Sequence, residues 1–331
     1  MSKSNGLDIS VKVKSYTPMK DYKSSNLTLE FTGKDVYPKL INTLSRTASY
    51  LLPSYAFPTQ LINITQNTCV AYDNQYLQLR LSNMPIYNID LDIFHLHDKY
   101  WKNVNYADLN REKHPSEKDI RIYINAVNNT KEIKYVTTND IEVYVDGNLT
   151  NNMYDKKSPI LIIKLRPEDS FKCDMSAALG LGESHAIWRS AVNAFAPYED
   201  DKYSLTLKSN GQDNEFVILV KSCKHVLKRL EDIKKVIQEQ VDKQIIKNVE
   251  NINLVIDGED HTMGEILNYE FQSHSNLISG FSKPDLLIKS ISFKIAAEDS
   301  SKMIKSIFES IDKLIEKYSF ILKLVEKLEK K

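Results

Sequence analysis

The spacing of apolar positions divides the chain into two kinds of text. Leu27–Gly33 alternates and stops at a glycine, which predicts a strand entering a turn. Val36, Leu40, Leu44, Ala48 and Leu51 then recur every three or four residues, which predicts a helix. Asp35 is its expected cap, Pro38 falls in its first turn and Pro53 ends it. From Phe57 to about Pro197 short β-like runs alternate with Asn-rich turns: LINITQN, YLQLRLS, IRIYINAV, IEVYVDG and ILIIKL. Asp146-Gly147 is a turn signal. This stretch reads as a mostly β domain. A strand is expected over Phe216–Lys221, then a helix whose apolar face is Val226, Leu230, Ile233 and Ile237.

After the polar stretch Asp242–Asn251, the order strand, turn, helix begins again. Leu27–Leu44 aligns with Ile252–Tyr269: LTLEFTGKD faces INLVIDGED, with Gly33 on Gly258, Asp35 on Asp260 and Ile41 on Ile266. Each copy then ends in a strand and a long helix, Phe216–Val241 and Ser290–Leu328. In the last helix Ile304, Ile307, Ile311, Leu314, Tyr318, Ile321, Val325 and Leu328 step 3, 4, 3, 4, 3, 4, 3. Phe308, Ile315, Leu322 and Leu324 widen that stripe, so it should pack on a sheet and on a partner helix. The natural partner is the helix over 222–241. The expected fold class is α+β: two units, each a small sheet plus two helices, paired as a pseudo-dimer within one chain. Residues 1–55 with 197–247 form the first unit, 56–196 a mainly β domain inserted in it, and 248–331 the second unit. Chance similarity of two amphipathic segments is the alternative.

Composition narrows the classes. The chain has 331 residues, 42% hydrophobic and 27% charged, which suits a folded protein of two or three domains. Lys plus Arg and Asp plus Glu both number 44, and a net charge of zero argues against affinity drawn from wrapping a phosphate backbone. No apolar run reaches the ~18–20 residues of a membrane helix. Met1–Ser10 has no apolar signal core, so a soluble intracellular protein is expected. Cys69, Cys173 and Cys223 lie far apart and form no CxxC, which supports neither a disulfide framework nor structural zinc. His95-x-His97 with Asp98 has metal-like residue types, but no distant Cys or His pair completes it. Gly180-x-Gly182-x-x-His185 lacks the third glycine and the βαβ setting of a phosphate loop and reads as a tight structural loop. No carboxylate pair and no nucleophile with its base stands out, so neither a catalytic residue nor a bound cofactor is expected.

Two blocks resemble known subunits. FTGKDVYPKLINTLSR followed by FPTQLINITQNTCVAYDNQYLQLRLSNMPI resembles the D subunit of archaeal RNA polymerase, the third subunit of the eukaryotic enzyme and the bacterial alpha N-terminal domain. Of that pattern, Asn42, Leu44 and Arg46, then Pro58-Thr59, Asn67-Thr68, Asp73, Arg80-Leu81 and Met84-Pro85 stand in order. Ser45 replaces an arginine, Cys69 a serine, Leu79 a histidine and Ser82 a glycine. GLGESHAIW at Gly180–Trp188 resembles a segment near the end of the family's inserted domain. Asp260, His261, Thr262, Met263, Gly264, Glu265, Ile266 and Leu267 resemble the D-H-T-L-G-N-x-L hallmark of the archaeal L and eukaryotic eleventh subunits. Gly280-Phe281 and Pro284 echo its later part, without the histidine. The resemblance omits Met1–Ser25 and Asn88–Glu117. Fusion of two subunits that cells keep separate points to a large cytoplasmic DNA virus. Thr262-x-x-Glu265 is a capping-box arrangement, so this motif reads as a strand-to-helix corner with Thr262 starting the helix.

The resemblance implies a non-catalytic assembly platform of a DNA-directed RNA polymerase. Its expected partners are the large catalytic subunits, especially the second-largest, and small zinc-bearing subunits, with DNA met only through the complex. Magnesium and nucleotidyl transfer belong to the large subunits, and the family's Cys-rich metal site lacks its cysteines here. A viral protein of this kind is expected in a cytoplasmic virus factory and in the virion. Candidate interface residues are Asn42, Leu44, Arg46 and Arg80; Val226, Leu230, Ile233 and Ile237; Asp260, His261, Thr262 and Gly264; and Ile307, Ile311, Leu314, Ile321 and Val325. For Arg46 and Arg80 an ordinary solvated or intradomain pair is the alternative. The rival reading is a stand-alone dimeric regulatory or nucleic-acid-binding protein, against which the neutral charge and the internal repeat both speak.

Overall fold

Alternation in the first strands decides which face is covered. In the computed structural model, which describes residues 6–19, 25–108, 110–195, 198–199, 202–243, 251–285 and 287–330, β1 (Ser10–Thr17) pairs antiparallel with β2 (Asn26–Thr32). Leu27, Leu29 and Phe31 of β2 point inward and are fully buried. The chain turns at Gly33, where φ is +126°, into α1 (Pro38–Arg46), which runs on through a π-helical turn over Thr47–Leu51. Tyr37, not Asp35, is the residue before the helix, and the Asp35 carboxylate instead accepts the Asp8 N–H at 2.9 Å.

A second lobe follows. It contains β3 (Pro53–Ala56), β4 (Ile62–Asn67), α2 (Asn74–Ser82), β5 (Ile120–Val127), β6 (Lys134–Thr137), β7 (Ile141–Val145), β8 (Asn148–Thr150), β9 (Leu161–Leu165), β10 (Ser170–Ser176) and β11 (Ala178–Leu181). Five of these strands form a sheet in the order β4-β10-β5-β7-β8, while β11 pairs with β3 and β6 with β9. Asp146 and Gly147, both at positive φ, make the two-residue turn joining β7 to β8. The YLQLRLS run, expected as a strand, is helix α2. Asp73 caps it by accepting the Tyr76 N–H at 2.7 Å. Leu77 and Leu81, four apart, face the core, whereas Tyr76 and Leu79 face outward. Apolar residues on both faces mimic the period of a strand.

The chain then returns to the first sheet. β12 (Ala191–Phe195), β13 (Tyr198–Glu199) and β14 (Lys202–Ser209) complete it in the order β1-β2-β14-β12, with β13 on β14. β12 therefore hydrogen-bonds with the first unit although the sequence places it in the 56–196 span. The expected boundaries at 196/197 and 247/248 lie outside the described residues. The expected strand over Phe216–Lys221 is instead the opening of α3 (Glu215–Lys243). An unbroken apolar run does not distinguish strand from helix. Here Asn214 Oδ1 accepts the Val217 N–H at 2.8 Å, and the buried Ile218, Leu219 and Cys223 lead at helical spacing into Val226.

The remaining elements are β15 (Asn251–Asp257), α4 (His261–Gln272), β16 (Leu277–Ser282), β17 (Ser290–Ala297) and α5 (Met303–Glu329), with sheet order β15-β17-β16. Gly258, at φ +78°, makes the β15–α4 corner as Gly33 makes the β2–α1 corner. One edge of this sheet is covered by a side chain: the Gln240 amide of α3 both accepts the Val255 N–H and donates to the Val255 carbonyl.

Two main apolar cores result. One is built from residues of 55–181 and belongs to the inserted lobe. The other runs without interruption from β1, β2 and α1 through α3 into β15–β17, α4 and α5. α3 and α5 pack on each other at its centre. Leu314→Ala in the full chain should lower the unfolding free energy by about 2–5 kcal/mol. Glu316→Ala, exposed on the same helix, should stay within about 0.5 kcal/mol. Urea denaturation measures both, and equal effects would mean that α5 contributes no core.

Candidate subunit interface

Burial sorts the candidate residues into two groups. Val226, Leu230, Ile233 and Ile237 of α3 and Ile307, Ile311, Leu314, Ile321 and Val325 of α5 are all at most 2% exposed. They make a seam inside the chain and offer no surface to another molecule. Leu44 and Gly264 are buried as well. At Gly264 the reason is a close approach: a Cβ there would fall 2.5 Å from the Phe281 ring. Asn42, Arg46, Arg80 and His261 are exposed, while Asp260 and Thr262 are half-buried.

The exposed candidates on α1 and α4 share one face. Arg46 Nε donates to Thr262 Oγ1 at 2.8 Å, and Lys39 Nζ meets Glu265 at 2.5 Å. The helix start differs from the expected capping box: Asp260 Oδ1 accepts the Thr262 N–H at 2.9 Å, and Glu265 turns to Lys39. His261 stands edge-on to Phe281 at 6.0 Å. Arg80 lies on the other lobe, where it donates to the Leu161 carbonyl at 3.0 Å. Both arginines thus make hydrogen bonds within the chain, and neither makes an ion pair among the described residues.

Beneath this face lies a buried polar clasp that sequence reasoning missed. Glu270 of α4 accepts from Tyr37 Oη at 2.5 Å and from Lys317 Nζ of α5 at 2.5 Å. The Glu270 and Lys317 side chains are 1% and 4% exposed. Lys317 also sits 4.8 Å over the Tyr37 ring, which stacks on Tyr269 at 4.2 Å. Next in line, Tyr318 Oη donates to the Leu40 carbonyl at 3.1 Å. Burial and the Glu270 carboxylate push the Tyr37 phenol far above its ordinary value, so it remains a donor. Glu270 and Lys317 each occupy a core-facing position of an otherwise apolar helical stripe, but nothing in the sequence pairs the two.

A cleft separates the inserted lobe from the β15–α4 corner. Thr47, His95, Trp101, His225, Arg229, Glu259 and Lys289 are among the residues that line it. Arg229 pairs with Glu259 at 2.6 Å, Lys289 pairs with Glu183, and Lys289 lies 5.5 Å over the Trp101 ring. Burial outweighs the pull of Arg229 and raises the Glu259 carboxyl to about 7. Burial lowers the His225 imidazole to about 3, and its Nδ1 donates to the Phe94 carbonyl at 3.0 Å. The His95-x-His97 pair does not converge: His95 faces His225 at 5.2 Å, while His97 Nδ1 accepts the Lys99 N–H. Among the described residues no three His, Cys, Asp or Glu side chains gather as a metal would require. Cys69, Cys173 and Cys223 are buried and unpaired. No described helix is long and apolar enough to cross a membrane.

Comparison with known proteins finds one informative relative. The chain is 27% identical, over 346 aligned positions, to a protein of Acanthamoeba polyphaga mimivirus provisionally named as a DNA directed RNA polymerase subunit. The alignment covers 96% of this chain and 94% of the relative, so it runs through both strand–helix units and the inserted lobe. No protein-family model matches the chain.

Two measurements probe these polar groups. Lys317→Met should destabilise the chain by about 3–5 kcal/mol by leaving Glu270 buried without its cation. The double variant Glu270→Gln/Lys317→Met should recover most of that loss in urea unfolding. The pH dependence tests Glu259. Its folded value lies above the unfolded one, so its contribution falls as pH rises from 4.5 to about 7. His225 acts oppositely: its contribution is lost as pH falls from 6.5 to about 3. Glu259→Gln should therefore make stability rise more steeply with pH across that overlap, and curves parallel to wild type would contradict the assignment.

Proposed function

We propose that this chain is a non-catalytic assembly subunit of a multisubunit DNA-directed RNA polymerase encoded by a large DNA virus. In this reading the two strand–helix units are a fused pair, the first like the third-subunit type and the second like the eleventh, joined as an intramolecular pseudo-dimer. The observation that carries it is the single core shared by both units through the α3–α5 seam. The mimivirus relative, similar along nearly its whole length, supports the polymerase assignment. The D-H-T-x-G corner at Asp260–Gly264 and the Asn42–Arg46 helix supply the motif resemblance.

The partners follow from the same reading. The large catalytic subunits dock on the outer faces and hold the magnesium and the nucleotidyl-transfer chemistry. The second-largest subunit meets the α1–α4 face, where Asn42, Arg46 and His261 are exposed. Small zinc-bearing subunits attach to the same platform, and DNA is reached only through the complex. The site of action is the cytoplasmic virus factory, with packaging in the virion.

Affinity purification of the full chain from infected cells tests the reading. The two large polymerase subunits should copurify with it, and the chain alone should incorporate no nucleotide on primed DNA. Arg46→Glu should reduce recovery of the second-largest subunit by about tenfold while costing the fold only the roughly 1 kcal/mol of its hydrogen bond to Thr262, so that the chain remains folded. A free dimer that binds DNA and captures no polymerase subunit would favour the regulatory alternative.

A further inference from the structure

Seven arginines stand in the sequence, and four of them make no ion pair among the described residues. Two of those four share one aromatic ring. The Arg189 guanidinium lies 4.7 Å from the centre of the Tyr50 ring, and that of Arg46 lies 5.9 Å from it. Arg46 and Tyr50 are four residues apart, on one face where α1 runs into its π-helical turn. Arg189 comes to the same ring from a distant part of the chain, just after the GLGESHAIW loop. The main chain fixes its place. The Glu183 N–H donates to the Tyr50 carbonyl at 3.0 Å, Ser190 Oγ to the Ala48 carbonyl at 2.5 Å, and Asn210 Nδ2 to the Arg189 carbonyl at 3.0 Å. Gly182 permits the approach: a Cβ there would fall 2.6 Å from the Ser49 carbonyl oxygen and 3.0 Å from Arg189 Cγ.

The charges at this corner do not balance. The segments that build it are 38–51, 181–190 and 259–265, and their acids are Glu183, Glu259, Asp260 and Glu265. Glu183 pairs with Lys289, Glu259 with Arg229 and Glu265 with Lys39, while Asp260 accepts the Thr262 N–H. Arg46 and Arg189 are left without a counter-charge among the described residues. Water solvates a guanidinium but brings no negative charge, whereas an anion is attracted by both at once.

Two features choose the anion. A track for nucleic-acid phosphates needs several free cations along it. Here the nearby Lys39 is taken by Glu265, and the chain carries no net charge. A guanidinium held on an aromatic ring presents a planar fork, which a carboxylate meets with two parallel hydrogen bonds. The two guanidinium carbons are at most about 11 Å apart. Alternate residues of an extended segment, about 7 Å apart, can bring one carboxylate to each.

We propose that Arg46 and Arg189, held on Tyr50, form a clamp for an acidic segment of a docking protein, with Asp or Glu at alternate positions. Arg46 comes from the first unit and Arg189 from the 56–196 span, while Thr262 of the second unit accepts from Arg46 Nε at 2.8 Å. The clamp therefore stands where all three parts meet. That the docking protein is the second-largest polymerase subunit rests on the proposed function; the acidic chemistry rests on the arginines alone.

The test uses the full chain labelled with ¹⁵N-arginine and reads its Nε–H signals. Arg46→Lys and Arg189→Lys identify the two signals of the clamp, and Arg111, buried in a pair with Glu117, is the internal control. The probe is the peptide acetyl-Gly-Glu-Gly-Glu-Gly-amide, with Gln in place of both Glu as its uncharged match. The glutamate peptide should move the Arg46 and Arg189 signals saturably and leave Arg111 in place, and the glutamine peptide should move none. Arg189→Ala should weaken the glutamate peptide by about two- to fivefold. Tyr50→Phe, which keeps the ring, should bind as wild type does. Unmoved signals, equal shifts with the glutamine peptide, or undiminished binding by Arg189→Ala would overturn the clamp. Tighter binding of an oligothymidylate at the same two signals would overturn the carboxylate and make this a phosphate contact. No partner is present, so the result stands apart from copurification. Capture of polymerase subunits by a chain that ignores the peptide would refute the clamp alone. A chain that binds the peptide yet captures none would keep the clamp and refute the partner.

Discussion

Two long helices lie against each other because neither can be left in water. α3 and α5 each carry an apolar stripe along most of their length, and burying a large aliphatic side chain contributes about 1.5–3 kcal/mol. The nine seam residues therefore outweigh the net stability of about 5–15 kcal/mol that a domain retains. Everything else is arranged around that pairing. Leu27, Leu29 and Phe31 of the first sheet and Ile291, Phe293 and Ile295 of β17 belong to the same continuous apolar core. The inserted lobe has a separate core of its own, tied to α3 by polar contacts: Lys221 donates to the Leu91 carbonyl and His225 Nδ1 to the Phe94 carbonyl.

The polar clasp sits beside this apolar seam and does different work. A buried ion pair adds little net stability, because desolvating both charges costs about what their attraction returns. It constrains position instead. Glu270 is held from one side by Tyr37 at the head of α1 and from another by Lys317 of α5. A slip of either helix by one turn would leave a charge buried alone. Aliphatic stripes tolerate such slips better than a single carboxylate with two fixed donors does.

Much of the architecture was legible because it rests on periodicity. β2, β5, β7 and β9 lie where alternation places strands, and α5 lies where the three-four spacing places a helix. Legibility failed where pattern and environment part. α2 has apolar residues on both faces, and α3 opens on an apolar run that serves either geometry. The clasp was hidden for another reason: a Glu on one helix and a Lys on another carry no mutual signal until the chain brings them together. The exposed candidates were found by motif, yet Arg46 and Arg80 engage atoms that no motif predicts, a hydroxyl and a main-chain carbonyl.

The seam joins segments of a single polypeptide, and that alters the kind of equilibrium it obeys. A contact between separate chains has a dissociation constant, and its occupancy falls as the molecules become scarce. A contact between α3 and α5 has none. Each helix meets the other at an effective concentration fixed by the connecting chain, the same in a dilute solution as in a concentrated one. The two units are also made in equal numbers by necessity, and neither waits in solution with its stripe exposed while the other is translated elsewhere.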